Sequence, residues 1–408
     1  MSRHNKEFAA LAFDKSRLAF VRILSLIFVF ALYAFFASPF LFGEPEILNP
    51  NENNMQGTGS TSIEEINGVE INNEYYNELF GELNRNLYSD NNTEAIIDAV
   101  DVVNEEAGVP AVYTGADGLW RHFLETDDSS SAAIEILVTL GMAGKGNRSI
   151  INNLNNYLID KNLLVKSGVS VNYTLVSACI SAIMELGDSS SYQALFSAYC
   201  AGYPEVIASE AYGAMEIIPG NFYQFLLNVL WNNPPDEKFA AFRAGINSER
   251  LSVSDKGQIA ELALEQALAS NEDNINLNVM RYAAVSVLTR LRWTRANALA
   301  IRHYYRVQAD FHADKITKER FLEAVNCLGA VGNSQAALVL GLQLGLINDR
   351  MAHSGSFDAE VTLAIVHALG LIGDNAAFDH LLYVLNLSYP YNIHAAAREA
   401  IDNLKWVR

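Results

Sequence analysis

Glu360-Val-Thr-Leu-Ala-Ile-Val-His-Ala-Leu-Gly-Leu-Ile-Gly-Asp374 is the stretch whose reading decides the fold. Val361, Ala364, Ile365, Ala368 and Ile372 fall on one face of a helix, and Leu363, Val366 and Leu369 widen that face until little polar surface remains. Such a helix needs neighbours on more than one side. Ala364 and Ala368 are small enough to let another helix approach closely. Leu369-Gly370 followed by Gly373-Asp374 predicts a helix stop, a tight turn and a new N-cap, and Asn375 to Leu385 reads as the returning helix.

Working outward, the same grammar of an Ala-rich helix closed by Leu-Gly or an equivalent recurs. Ile393–Leu404 is the last copy, with Trp406 as an end cap, and Phe321–Leu328 with Gly329, Gly332 and Asn333 precedes the clean one. Earlier copies are Arg281–Leu291, Ile259–Leu268, Val206–Ile218, Leu175–Leu186 with Gly187-Asp188, and Ala132–Leu140 with Gly141. The closing leucines of the better copies stand 46, 41 and 35 residues apart, which suits a two-helix unit of roughly 40 residues. Pro219-Gly220, Pro234-Pro235 and Gly245 interrupt the middle copies. Ala95–Glu106, Gly118–Thr126 and Ser130–Gly141 read as the first turns of the array.

These residues resemble HEAT repeats, and the likeness covers most of residues 92–408. The resemblance implies an all-α fold, a right-handed α-solenoid of helix pairs that bury their faces on their neighbours and leave a long surface for binding.

The rest of the chain differs in composition. Of the net charge of −19, residues 1–22 contribute +3, residues 44–135 contribute −18, and residues 136–408 sum to −4. Ile23–Phe42 is twenty residues without a charge, long enough to cross a bilayer core, and is read as an uncleaved transmembrane anchor. Bases before it and acids after it predict a short cytoplasmic segment 1–22 with the bulk of the chain extracytoplasmic. Residues 43–91 read as an acidic, Asn-rich spacer. Within it, Asn67-Gly68 signals a small hairpin, and Tyr75, Tyr76, Leu79, Phe80, Leu83 and Leu87 continue at helical spacing. That short stretch resembles one near the start of extracytoplasmic chaperones of the peptidyl-prolyl isomerase type.

Chemistry-bearing motifs are absent. Cys179, Cys200 and Cys327 form neither a disulfide framework nor a zinc site, and the eight histidines show no ligand spacing. No metal, cofactor or catalytic residue is expected, and an acidic chain argues against nonspecific nucleic-acid binding. One cluster stands out. Arg281 to Ala309 holds Arg281, Arg290, Arg292, Arg295, Arg302 and Arg306 without an acid, together with Trp293, Tyr304 and Tyr305. Arg295, Arg302 and Arg306 share one helix face, and Arg with Trp or Tyr is the composition of a binding hot spot. Arg281, Arg290, Arg292, Trp293, Arg295, Arg302, Tyr305 and Arg306 are therefore the candidate partner-binding residues. They are read either as a docking groove for an acidic segment, of another envelope or membrane protein or of this chain's own spacer, or as arginines paired within the fold. The functional expectation is a membrane-anchored scaffold or adaptor of a bacterial envelope, with a ligand-binding or chaperone-like module as the alternative.

Overall fold

The computed structural model of the chain describes residues 115–270 and 274–405. Ile23–Phe42, the spacer, Ala95–Glu106 and Trp406 lie outside the described residues. Among those described, the protein is all helical, with sixteen α-helices and no strand. The first eight are α1 (Gly115–Glu125), α2 (Ser131–Ala143), α3 (Arg148–Lys166), α4 (Tyr173–Leu186), α5 (Tyr192–Tyr199), α6 (Glu205–Ile217), α7 (Phe222–Asn232) and α8 (Pro235–Asn247). Then come α9 (Val253–Ala269), α10 (Ile275–Leu291), α11 (Asn297–His312), α12 (Lys318–Val331), α13 (Ser334–Ser354), α14 (Ala359–Ile372), α15 (Phe378–Leu385) and α16 (Tyr391–Asp402). No helix among the described residues is long and apolar enough to cross a membrane.

Phe123–Arg408 forms one compact unit, and α2 to α16 belong to it. Helix starts in that unit are set by its polar residues. Asn147, Asn172, Asn274, Asn333 and Asp358 each accept backbone N–H groups at the start of the next helix, and Ser252 with Asp255 forms a capping box. Packing then runs between elements one or two helices apart along the chain. Even-numbered helices pack on one another from α2 to α6 and from α8 to α16, making an even row, odd-numbered helices do so from α3 to α5 and from α7 to α15, making an odd row, and each odd-numbered helix from α3 packs on the even-numbered helix that follows it.

Glycine sets how closely the even row packs. A Cβ on Gly141 of α2 would lie 2.8 Å from Ala182 Cα of α4. One on Gly329 of α12 would lie 2.9 Å from Ala368 Cα of α14, and one on Gly370 of α14 would lie 3.0 Å from Ala400 Cα of α16. The Leu-Gly pair therefore does not stop the helix as its sequence suggested. α14 continues to Ile372 and ends on Gly373, whose φ of 68° is the left-handed cap. Gly370 serves backbone approach to the next helix instead.

The middle of the chain departs from the sequence reading in one respect. Pro234-Pro235 does not interrupt a copy but begins α8, where Pro235 occupies the first turn and its missing N–H costs nothing. α8 is the even-row member of its pair, whereas the Ile259–Leu268 copy lies in α9 of the odd row. Close backbone approach is scarce between α6 and α8 and between α5 and α7. Larger side chains fill these seams. Tyr192 and Phe196 of α5 pack on Phe225 of α7, and the Tyr212 hydroxyl donates to the Ala244 carbonyl. Arg250 adds a staple, donating to the carbonyls of Ile218 and Gly220 that close α6.

Candidate partner-binding surface

The arginine cluster occupies α10, the turn after it, and α11. The structure separates it into an inner and an outer part. Arg281 is only 3% exposed, and its guanidinium lies 4.8 Å from the centre of the Tyr282 ring, with Arg320 of α12 at 4.6 Å from the same ring. His303 of α11 meets Tyr282 edge-on at 5.5 Å and is fully buried. Burial, reinforced by the positive charges of Arg281 and Arg306, pushes the His303 imidazole down to about 3, so it is neutral at physiological pH. Arg281 thus belongs to the packing between α10, α11 and α12 and is not presented to a partner.

Two further residues are fixed by α9. The Trp293 indole N–H donates to Glu261 Oε2 at 2.7 Å, and Arg295 Nε donates to the same oxygen at 2.6 Å. The Trp293 ring covers Gly257, where a Cβ would come within 2.6 Å of it, and Arg295 lies 5.3 Å from the ring centre. Arg306 donates to the Ser270 carbonyl at 3.4 Å. Arg295 thus lies in the turn before α11 and does not share that helix's face with Arg302 and Arg306 as its spacing suggested, and both Arg295 and Arg306 are partly satisfied inside the fold. Gly257 and Glu261, the seat of this arrangement, were not recognised from sequence, although their spacing of four places them on one side of α9.

Arg290, Arg292, Arg302 and Tyr305 remain exposed, and among the described residues none of the three arginines enters an ion pair. The turn carrying Arg292 has two counterparts. After α4, Gly187 takes φ 63°, Asp188 accepts the Ser190 N–H at 2.8 Å, and a 3₁₀ turn comes next. After α14, Gly373 and Asp374 repeat the arrangement, with Asp374 accepting the Ala376 N–H at 2.9 Å. After α10, the left-handed position belongs to Arg292 at φ 49°, and Trp293 stands where the capping aspartate would be, giving no side-chain cap. A left-handed arginine costs on the order of 1 kcal/mol relative to glycine. This turn thus loses a carboxylate and gains an exposed guanidinium at a local energetic cost.

Other groups offer little chemistry. Cys179 and Cys327 are buried and Cys200 is half-buried. Burial pushes the Cys200 and Cys327 thiols up to about 12 and about 11, so neither is an activated nucleophile. Among the described residues no group of three His, Cys, Asp or Glu side chains could hold a metal ion. A shallow cleft between α14 and α16 is rimmed by His367, Leu371, Glu399 and Asn403 over a floor of Gly370, Ala396 and Ala400.

A scan against protein-family models finds no match for this chain, and a search of the curated proteins finds no relative.

Proposed function

We propose that this protein is an adaptor that captures acidic segments of other envelope or membrane proteins on the surface around the α10–α11 turn. In this reading the helix pairs form a right-handed α-solenoid of the HEAT type, and Ile23–Phe42 anchors it with the N-terminus inside. The recurring Gly–Ala contacts and the packing restricted to near neighbours support the solenoid. Anchoring would raise the effective concentration of a weakly bound partner at the membrane.

The observation that carries the binding reading is the departure of the Arg292-Trp293 turn from its two Gly-Asp counterparts. Exposed Arg290 and Arg292 precede a half-buried Trp293 whose ring is held in place by Glu261. Exposed guanidinium groups close in the chain to an aromatic ring held by Glu261 suit a carboxylate-bearing partner.

The test is capture from native cells with the tagged full-length protein, repeated with Arg290→Glu/Arg292→Glu. Both side chains are exposed, so helicity should be unchanged. The adaptor reading expects a short, reproducible set of proteins in which the double variant is depleted at least about tenfold, since like charges at an interface cost several kcal/mol. Equal recovery with both forms would remove the turn from the binding surface.

A further inference from the structure

The odd row carries a second surface that the basic turn does not explain. The Asn333 N–H donates to the Asn297 side chain at 3.2 Å, and Gln308 donates to Gln343 at 2.7 Å, so α11 and α13 run side by side in the same direction and in step. Ser334 bonds to Asp374, the Asn348 side chain donates to the His380 carbonyl at 3.1 Å, and the His380 ring lies against Gly341 and Gly345, so α15 runs in the same direction beside the middle of α13. With the even row on the other side of each, the outward faces of these three helices form one layer.

That layer is apolar at its centre. Leu338, Leu342 and Leu346, at intervals of four on α13, are 54%, 64% and 60% exposed. Tyr305 of α11 flanks this ridge on one side, and Leu382 with Tyr383 of α15 flanks it on the other. Six apolar residues on adjacent helices expose on the order of several hundred Å², the size of the apolar core of a standard interface, which buries about 800 Å² on each partner. The two helices beside the ridge carry opposite charges. Arg302 is exposed on α11 and Asp379 on α15, and among the described residues neither enters an ion pair. The α11–α13 bonds put Arg302 near the level of Leu338, and the seat of His380 on Gly341 and Gly345 puts Asp379 near that of Leu342, about 6 Å further along the axis.

We infer that this face is covered by a second copy of the chain. An apolar ridge with opposite charges on the helices to either side of it is self-complementary under a twofold axis running along the ridge. Such an axis sets the leucine ridges of the two copies face to face, with Leu342 of one against Leu342 of the other. It also carries α11 of each copy over α15 of the other, so that Arg302 faces Asp379 twice, within reach of the arginine side chain. The inference involves neither Arg290 nor Arg292 and stands or falls independently of partner capture.

Sedimentation of the purified full-length chain in a mild non-ionic detergent tests it, with circular dichroism confirming that each variant is folded. A dimer at micromolar concentration is expected, and Leu342→Glu should make it monomeric. Arg302→Asp or Asp379→Arg alone should weaken the dimer about tenfold by placing like charges opposite each other twice. The combined Arg302→Asp/Asp379→Arg variant should recover to within about threefold of the original. A monomeric wild-type chain at tens of micromolar, a dimer indifferent to Leu342→Glu, or a double variant no better than the singles would each overturn the assignment.

Discussion

Gly329→Ala isolates the contact that sets the spacing of the even row. The added Cβ would stand 2.9 Å from both Cα and Cβ of Ala368, whereas a comfortable carbon–carbon contact is about 3.5–4.0 Å. Ala368 has no flexible end to swing away, so α12 and α14 must part by roughly 0.6–1 Å, and overpacking of this kind costs about 1–3 kcal/mol. Alanine's better helix propensity returns roughly 0.5–1 kcal/mol, leaving a net loss of about 0–2.5 kcal/mol, centred near 1. Gly213→Ala is the internal comparison. Gly213 lies inside α6 with nothing within 4 Å of its would-be Cβ, so the same substitution should stabilise by about 0.5–1 kcal/mol. Urea unfolding monitored by circular dichroism should shift in opposite directions for the two variants. Hydrogen exchange should show the Gly329→Ala loss concentrated in α12 and α14, because each helix packs only on near neighbours. A Gly329→Ala protein as stabilised as Gly213→Ala would refute the close-approach argument.

Two further outcomes arise from the arginine cluster. His303 has a folded-state value of about 3 against 6.5 for an unburied imidazole, so the unfolded chain binds the extra proton first as pH falls. Stability attributable to this site is intact above pH 6.5 and declines by about 1.4 kcal/mol per pH unit below it. Between pH 7 and pH 5 the loss should be about 2 kcal/mol, read as a falling urea midpoint that His303→Gln flattens. Arg292→Gly removes the left-handed penalty and should raise stability by about 0.5–1 kcal/mol while weakening capture of an acidic partner. A gain in stability with capture unchanged would mark Arg292 as a tolerated oddity of the turn.

Much of the helical content was legible because the Ala-rich, all-apolar helices of the even row repeat a strong periodic pattern. Glu360 to Leu385 folds as a helix, turn and returning helix, as its sequence indicated, with Asn375–Ala377 as a 3₁₀ turn before the returning helix. α8 is hard to see in the sequence because Pro-Asp-Glu-Lys-Phe-Ala-Ala-Phe-Arg-Ala-Gly-Ile-Asn buries only small residues and one phenylalanine on its core side, so its apolar signal is faint. The role of Gly370 is misread for a different reason. A glycine after leucine near a helix end reads as a stop, and only the position of Ala400 distinguishes a stop from a close approach.

The arginine cluster was legible as a composition and not as a surface. Nothing local distinguishes Arg281, which turns inward onto Tyr282, from Arg290, which stays in solvent nine residues later. The division depends on Glu261, Tyr282 and Ser270, contributed by α9, α10 and the chain just after α9. The leucine ridge of α13 is hidden for the opposite reason. On a helix apolar nearly all round, the residues left uncovered become evident only when its neighbours are in place.

The most direct test of the adaptor reading is a photo-crosslinking amino acid placed at position 292 in the full-length protein in its native cells, with position 206 of α6 as the exposed comparison. Position 292 should crosslink reproducibly to a protein segment rich in Asp and Glu, and Arg290→Glu should abolish the product while position 206 gives none. The same crosslinks at both positions, or none at 292, would contradict it.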